Sequence, residues 1–331
     1  MKTAIRILGW VGGVLLVLAI AAFLALRVPD TDAAAMRAKY GRPPSIFIDL
    51  DGQAVHVRDT GPRDAPTLIL VHGSNAFLQT WDGWADRLDG RWRVVRLDLP
   101  GHGLTGASPT RAYRVQDFAA LVERLRVRLW VDHIAIGGNS MGGGVALAYT
   151  LAYPEHVDAL ILVDSIGQPS RGRGDAPLAF RIARVPVVRD IAAQVTPRSL
   201  IARSLPGVFG DPRLATPEMI DRYWELLRYP GNRRATIDRF SSPPFALTTE
   251  DLAQVRAPTL VIWGEQDRLI PVESGRWLAA RLRRARMVIY PQTGHLPQEE
   301  RAAESAAELA RFLSAAQQGE RLRAGSVRGR P

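Results

Sequence analysis

One serine stands in a setting that suits nucleophilic chemistry. Ser140 is the centre of Gly138-Asn139-Ser140-Met141-Gly142, which fits the pattern Gly-x-Ser-x-Gly. An apolar run precedes this segment and a helical pattern follows it, so the serine is predicted to lie on a sharp turn between a strand and a helix. The flanking glycines leave room for backbone where a side chain would collide. We therefore predict that Ser140 is a nucleophile.

A serine hydroxyl needs a base, and the base needs an acceptor that holds it in the right tautomer. His295 follows the last predicted strand, at the edge of the sheet where open α/β folds place their sites. Asp267 follows another buried strand and falls at the same edge. We predict His295 as the general base and Asp267 as its acid, with Glu265 and Asp164 as alternative acids.

The elements that must position these residues alternate along the chain. Strand patterns occur at residues 45–50, 54–58, 67–71, 92–97, 133–136, 159–163, 259–263 and 287–290. Helical patterns lie between most of them, which predicts an α/β fold with a mostly parallel eight-stranded sheet flanked by helices. Asp51-Gly52 separates the first two strands and predicts a hairpin, so the sheet should have one antiparallel edge.

The alternation is interrupted once, which divides the chain into segments. Residues 167–250 are helix-like and rich in Arg and Pro, and we predict that they form a helical cap inserted between core segments 45–166 and 251–315. Residues 29–44 are polar and end in Gly-Arg-Pro-Pro, which predicts a linker. Residues 316–331 are predicted to be a disordered basic tail.

Several segments, in order, resemble the α/β-hydrolase fold family. Besides the serine turn and the loops of Asp267 and His295, Val71-His72-Gly73-Ser74-Asn75 resembles the family's HG oxyanion loop. Asp98-Leu99-Pro100-Gly101-His102-Gly103 resembles its D-x-P-G-x-G segment, and the order serine, acid, histidine is also that of the family. The resemblance implies an oxyanion hole made by the backbone N–H groups of Ser74 and Met141. It leaves His72 and His102 as structural residues.

A serine, a histidine, an aspartate and an oxyanion hole imply acyl transfer through an acyl-enzyme that water then releases. This chemistry requires no cofactor and no metal. We predict hydrolysis of a small-molecule carboxylic ester with an apolar or lipid-like acyl group. The candidate lining residues of the acyl pocket are Trp81, Trp84, Trp224 and Phe240.

Three other functions remain open on the same residues. Gly-Asn-Ser-Met-Gly-Gly is similar to the serine segment of carbon–carbon bond hydrolases of ring-cleavage diketones, although Leu296 stands where that group usually has Trp. A cofactor-free perhydrolase would use the same machinery. A membrane-tethered binding protein that has kept the fold without the activity is the non-enzymatic alternative.

Residues 7–26 are apolar and uncharged over a length that can span a bilayer. We predict an uncleaved transmembrane signal anchor over residues 1–28; a cleaved signal peptide and a helix packed on the domain are the alternatives. Lys2 and Arg6 precede the apolar stretch, so the positive-inside rule places the catalytic domain outside the cytoplasm, in the periplasm or its equivalent.

Composition excludes several other classes of protein. The net charge is +10, but the arginines are scattered and interleaved with acids, so we predict no nucleic-acid partner. The chain contains no cysteine, which rules out disulfides, zinc–thiolate sites and a cysteine nucleophile.

Overall fold

An eight-stranded sheet forms the centre of the structure, a computed structural model that describes residues 2–88, 90–169, 191 and 193–328. Its strands are β1 Ser45–Leu50, β2 Gln53–Thr60, β3 Thr67–Val71, β4 Arg93–Leu97, β5 Ile134–Asn139, β6 Val157–Val163, β7 Thr259–Gly264 and β8 Ala285–Tyr290. Their order is β1-β2-β4-β3-β5-β6-β7-β8. The pairs β1–β2 and β2–β4 are antiparallel and the other pairs are parallel, which confirms the predicted α/β fold and its hairpin edge.

Helices cover both faces of the sheet, because its central strands are apolar on both faces. The helices of the described residues are α1 Lys2–Leu26, α2 Ala33–Tyr40, α3 Asp82–Leu88, α4 Val115–Arg128, α5 Met141–Ala152, α6 Arg198–Ser204, α7 Pro217–Leu227, α8 Asn232–Ser241, α9 Thr249–Gln254, α10 Val272–Ala279, α11 Pro297–Glu300 and α12 Ala302–Arg328. One face of the sheet packs on α4, α5 and α10. The other face packs on α3 and α12.

The strand order reverses beside β3, which lies between β4 and β5. The parallel register places Val71, the last residue of β3, beside both Leu97 and Gly138. The loops after β3, β4 and β5 therefore leave the sheet side by side. Open α/β sheets bind their ligands in the crevice at such a reversal.

The first helix, α1, lies outside the packed layers. Its residues Arg6–Leu26 form a 21-residue apolar stretch with a mean hydropathy of 2.6, and none of it is buried. By length and composition this stretch can cross a membrane, and a signal sequence has the same properties.

The segment that follows α1, residues 28–31, is bonded to the helical insertion rather than to the sheet. We call it the stalk. The Thr31 N–H donates to the Arg228 carbonyl at 2.9 Å. The Arg233 guanidinium donates to the Val28 carbonyl at 2.8 Å. The chain therefore passes from α1 directly into contact with the insertion.

The structure differs from the linker predicted over residues 29–44, because helix α2 lies within it. The Asp32 carboxylate caps α2 by accepting from the Ala35 N–H at 2.7 Å. Met36 then packs against the cluster that contains Leu104. A run of alanines behind a capping aspartate favours a helix, and this local signal outweighs the polar composition.

The structure differs from the disordered tail predicted over residues 316–331. Helix α12 continues to Arg328, and residues 329–331 lie outside the described part of the chain. Eight of the 13 residues from 316 to 328 are alanine, glutamine, glutamate or arginine, with Gly319 and Gly325 between them. Those eight residues are good helix formers, so a helix that has already begun can propagate through a polar sequence.

The insertion predicted over residues 167–250 is helical where the structure describes it, with α6, α7, α8 and the start of α9. Residues 170–190 and 192 of the prediction lie outside the described residues. The insertion, which we call the cap, contacts the loops after β8: the Val208 carbonyl accepts from the His295 N–H at 2.8 Å. The cap therefore lies against the carboxyl edge of the sheet.

Asp98, just after β4, ties three segments of the core together. One carboxylate oxygen accepts from the Leu78 N–H at 2.7 Å. The other accepts from the Leu104 N–H at 2.8 Å and pairs with His56 Nδ1 at 2.6 Å. Burial alone would raise the pKa of Asp98, but the charge and hydrogen bond of His56 outweigh it and lower the pKa. The ionised carboxylate is thus the stable form.

We expect Asp98→Asn to lower the free energy of unfolding by about 3 kcal/mol, because an amide cannot accept all of these hydrogen bonds. Urea denaturation of the full-length protein in mild detergent measures it. A carboxylate with a lowered folded-state pKa stabilises above its unfolded pKa of about 4, so the difference should shrink as the pH falls below that value. Asp51→Asn, in the exposed hairpin turn, is the matched control. A difference that is small at neutral pH would contradict the role of Asp98.

Candidate active site

Ser140 occupies a strained turn between β5 and α5. The strand ends at Asn139, the helix begins at Met141, and Ser140 has φ 56° and ψ −117°. A residue other than glycine rarely adopts this left-handed backbone conformation unless its surroundings impose it. Here the Ser140 N–H donates to the Val163 carbonyl at 2.9 Å, and the Ile166 N–H donates to the Ser140 carbonyl at 3.1 Å. The backbone of the serine is therefore held from the neighbouring strand β6.

Two glycines make the turn sterically possible. A Cβ atom on Gly138 would lie 2.1 Å from the carbonyl carbon of Gly142, and a Cβ atom on Gly142 would lie 2.1 Å from the Val71 carbonyl oxygen. Either substitution would push the strand and the helix apart. The spacing Gly-x-Ser-x-Gly thus has the steric basis expected from the sequence.

His295 and Asp267 form a buried hydrogen-bonded pair. His295 Nδ1 lies 2.7 Å from Asp267 Oδ2. The other oxygen of Asp267 accepts from the N–H groups of Leu269 at 2.7 Å and Ile270 at 3.1 Å, which fixes the carboxylate. Because the carboxylate accepts, Nδ1 carries the proton and Nε2 is left as the basic nitrogen.

Asn139 links the histidine loop to the serine turn. Its side-chain amide donates to the His295 carbonyl at 3.0 Å and to the Val163 carbonyl at 3.2 Å. One hydrogen bond thus links the backbone of His295 to the residue that precedes Ser140. The sequence pattern contained Asn139, but no role was predicted for it, because the pattern does not show which distant carbonyl it reaches.

Glu300, at the end of α11, fixes the same loop from the other side. Its carboxylate accepts from the Gly294 N–H and from the Gly210 N–H of the cap, both at 2.8 Å. Sequence reasoning missed this residue, since a glutamate at a short helix is ordinarily a solvated one. The loop of His295 is therefore bonded to both the core and the cap.

A second acidic residue, Asp164, is buried at this edge. Its ligand atoms and those of Asp267 and His295 lie within 4.8 Å of one another. Burial, and then the charge of Asp267, raise the pKa of Asp164 well above its usual value. Such a set could in principle hold a metal, but metal ligands must be deprotonated, and Asp267 and His295 already bond each other. The arrangement fits a base and its acid better.

Ser74 and Met141, the two residues predicted to supply the oxyanion donors, contact each other through their side chains. The Ser74 hydroxyl contacts Met141 Sδ at 3.7 Å. Met141 is the first residue of α5, so its N–H has no partner within the helix. A Cβ atom on Gly73 would lie 3.2 Å from Ser140 Cβ, which shows how closely the loop after β3 packs on the serine.

His72 and His102 are buried and hydrogen-bonded, as expected for structural residues. His72 Nδ1 lies 2.7 Å from the Gly73 carbonyl, and its Nε2 accepts from the Leu99 N–H at 3.1 Å. Burial lowers the pKa of His72 and lowers that of His102 well below the usual range. Both rings are therefore neutral.

The four predicted lining residues fall into two groups. Trp81 and Trp84 are fully buried on the face of the sheet covered by α12, so their prediction as pocket residues is corrected. Trp224 bonds within the cap, its indole N–H donating to the Thr196 carbonyl at 2.8 Å. Phe240 lies in α8. An aromatic residue on a helix looks the same in sequence whether it faces a pocket or the core.

Comparisons with known proteins agree with this geometry. A sequence model of the alpha/beta hydrolase fold family matches residues 66–302. The chain is similar to the 2-hydroxy-6-oxononadienedioate/2-hydroxy-6-oxononatrienedioate hydrolase of Klebsiella pneumoniae, with 28% identity over 286 residues, 83% of this chain and 94% of that protein.

Solved structures with the same fold belong to proteins that are named for different reactions. A membrane phospholipase A described as a bacterial virulence factor superposes with a TM-score of 0.70 and 28% identity, over 93% of this chain and 98% of that one. A 2-hydroxy-6-oxo-6-phenylhexa-2,4-dienoate hydrolase from Rhodococcus sp. strain RHA1 superposes with a TM-score of 0.70, over 82% and 99%. Its identity is 22%, so this likeness concerns the fold alone.

The two acids should respond differently to the same substitution. Asp267→Asn removes the acceptor that fixes the tautomer of His295, and we expect the labelling of Ser140 by a fluorophosphonate to slow on the order of 10³-fold. The raised pKa of Asp164 favours its neutral form, which an amide resembles, so we expect Asp164→Asn to be labelled within about threefold of wild type. Stopped-time labelling and intact-protein mass spectrometry measure both rates. Equal losses in the two variants would contradict this assignment of charge.

Proposed function

The chain belongs to the α/β-hydrolase fold family, and on that premise we propose that it is a serine hydrolase of carboxylic esters with lipid-like acyl groups. The observation that carries the proposal is the buried pair of His295 and Asp267, bonded at 2.7 Å and tied through Asn139 to the strained turn of Ser140. A histidine held in this way would remove the proton of the Ser140 hydroxyl and so activate it.

In the proposed reaction, His295 Nε2 removes the proton from the Ser140 hydroxyl as its oxygen attacks the ester carbonyl. Asp267 holds the ring and stabilises the imidazolium that forms. The N–H groups of Ser74 and Met141 bind the developing oxyanion, and the histidine then protonates the leaving alcohol. Water, activated by the same histidine, releases the acid from the acyl-enzyme.

Two observations support a lipid-like substrate held at a membrane. The apolar stretch of α1 suits an anchor, and the stalk that follows it is bonded to the cap through Arg228 and Arg233. The cap would then lie close to the bilayer surface, on the side from which a lipid ester must enter. The membrane phospholipase A, which matches nearly the whole chain, supports the same substrate class. With Lys2 and Arg6 on the cytoplasmic side, the hydrolase domain would be extracytoplasmic.

Carbon–carbon bond hydrolysis of a ring-cleavage diketone is the second candidate, favoured by the name of the relative from Klebsiella pneumoniae. Leu296, which follows the histidine, is buried with Phe209 and Ile220 of the cap. An aliphatic side chain therefore occupies the position at which the carbon–carbon bond hydrolases usually have Trp. This packing, together with the anchor, makes the ester hydrolase the preferred proposal.

We expect the wild type to hydrolyse p-nitrophenyl esters and phospholipids, and Ser140→Ala to lose activity by about 10⁴-fold or more, because no other hydroxyl occupies the turn. A panel of acyl-chain lengths with a ring-cleavage diketone alongside measures kcat/KM for each class. Ser314→Ala is the control, since that hydroxyl bonds only along α12. Equal rates in wild type and Ser140→Ala would refute the enzyme; a preference for the diketone would select the second candidate.

Removal of residues 1–27 tests the role of the anchor, because it leaves the stalk in place. We expect the truncated protein to stay in the supernatant when vesicles are sedimented and to keep its kcat/KM for a soluble short-chain ester within about threefold. Hydrolysis of phospholipid in vesicles should fall by about tenfold or more, since the enzyme is no longer concentrated at the surface. Unchanged vesicle hydrolysis would contradict a membrane-held substrate.

A further inference from the structure

Arg239 is a buried, positively charged residue of the cap, and it contacts the loop that carries the predicted oxyanion donor Ser74. It lies in α8 and is 8% exposed. One guanidinium nitrogen, Nη2, donates to Asn75 Oδ1 at 2.9 Å. The other, Nη1, lies 2.6 Å from His102 Nε2 and 3.7 Å from Met141 Sδ. A residue of the cap therefore touches the loops that follow β3 and β4 and the first residue of α5.

The acceptors of Arg239 are unusual for a buried guanidinium. Neither of its oxygen or nitrogen acceptors among the described residues is a carboxylate, and its Nε has no hydrogen-bond partner there. Burial lowers the pKa of Arg239 to about 9, which still leaves it charged at neutral pH. A buried charge without an opposite charge is costly, so its retention here calls for a specific role.

The contact with His102 requires one tautomer of that ring. His102 Nδ1 lies 3.2 Å from the Pro100 carbonyl, which can only accept, so the proton is on Nδ1. Nε2 then offers a lone pair to Arg239. The neutral ring of His102 therefore accepts a hydrogen bond from the buried guanidinium. This contact fixes Arg239 against the loop after β4.

The contact with Asn75 reaches the oxyanion loop itself. Asn75 follows Ser74, one of the two proposed donors, and has the left-handed φ of 57°. Its side-chain oxygen is held twice from the cap, by Arg239 and by the Thr236 hydroxyl at 3.0 Å. A strained residue keeps its conformation only when several contacts impose it, and these two contacts hold its side chain.

We propose that Arg239 is a positioning residue of the oxyanion hole: it acts through Asn75 and His102 to fix the loop that carries the Ser74 N–H relative to Met141. The proposal rests on the serine-hydrolase function proposed above. Arg239 itself donates to neither the serine nor the oxyanion. Helix α8 of the cap is thereby part of the machinery that stabilises the transition state, in addition to covering it.

The test uses full-length enzyme in mild detergent and p-nitrophenyl butyrate, an uncharged ester that Arg239 cannot attract directly. We expect Arg239→Met to lower kcat about 10- to 100-fold, less than the loss of a whole donor, with KM within about threefold. Asn75→Ala should lower kcat similarly, and the double variant should be no more than about threefold slower than the slower single variant, because both residues act on one loop.

The control is Arg234→Met, the same substitution five residues earlier in α8, where the guanidinium pairs with Asp238. Rates are expressed per serine titrated by fluorophosphonate, so that misfolded protein does not count. A kcat for Arg239→Met within about threefold of that control would overturn the proposal. Fully additive losses in the double variant would overturn it as well.

The outcome for Arg239 is separable from that of the proposed function. If the wild type is labelled at Ser140 but hydrolyses no ester, the function fails, and the labelling rate then decides: a loss of about tenfold in Arg239→Met supports positioning, whereas equal rates overturn it. A wild type that is neither labelled nor active refutes both proposals.

Discussion

The left-handed backbone of Ser140 is the constraint on which the rest of the site depends. A turn with φ 56° between β5 and α5 brings helix and strand so close that Gly142 packs on the Val71 carbonyl of β3. This contact exists only because β3 is the neighbour of β5 in the sheet. The loop after β3 is then forced against the serine, which places Ser74 beside Met141. The position of the proposed oxyanion hole thus follows from strand order and two missing Cβ atoms.

Around this turn, the loops are held by polar groups that are buried, as Asp98 and Arg239 are, or partly buried, as Glu300 is. Asp98 holds the loop after β4, Glu300 holds the histidine loop, and Arg239 holds the loop after β3. Apolar contacts tolerate small slides, whereas a hydrogen bond weakens within a few tenths of an ångström and beyond modest angles. Polar fixation is therefore the better means of keeping reacting atoms in place, and the buried charges are retained in spite of their desolvation cost.

The sequence predicts the fold and the turn of Ser140 much better than the side chains that support the site. Strand and helix periodicities are local, so the eight strands, the hairpin and the alternation are visible in it. The setting of Ser140 is also local, because a turn between a strand and a helix needs its own glycines. By contrast, Arg239 and Glu300 act on partners in segments far from them in the chain, and no local pattern marks such contacts. Trp81 and Trp84 are predicted as pocket residues but lie in the core, because helical spacing does not show which face of a helix meets the core.

Helix α8 connects two regions that the sequence gives no reason to join. Near its start, Arg233 bonds to the stalk at Val28 and Asp30. Further along, Thr236 and Arg239 bond to Asn75 beside the serine turn. A ten-residue helix is about 15 Å long, so the segment that follows α1 and the loop that carries Ser74 are separated by one short helix. The cap cannot lift from the sheet as a unit without breaking the contacts at Asn75, and it cannot shift sideways without straining the stalk. A rearrangement of the cap that leaves α8 in place would therefore keep both sets of contacts.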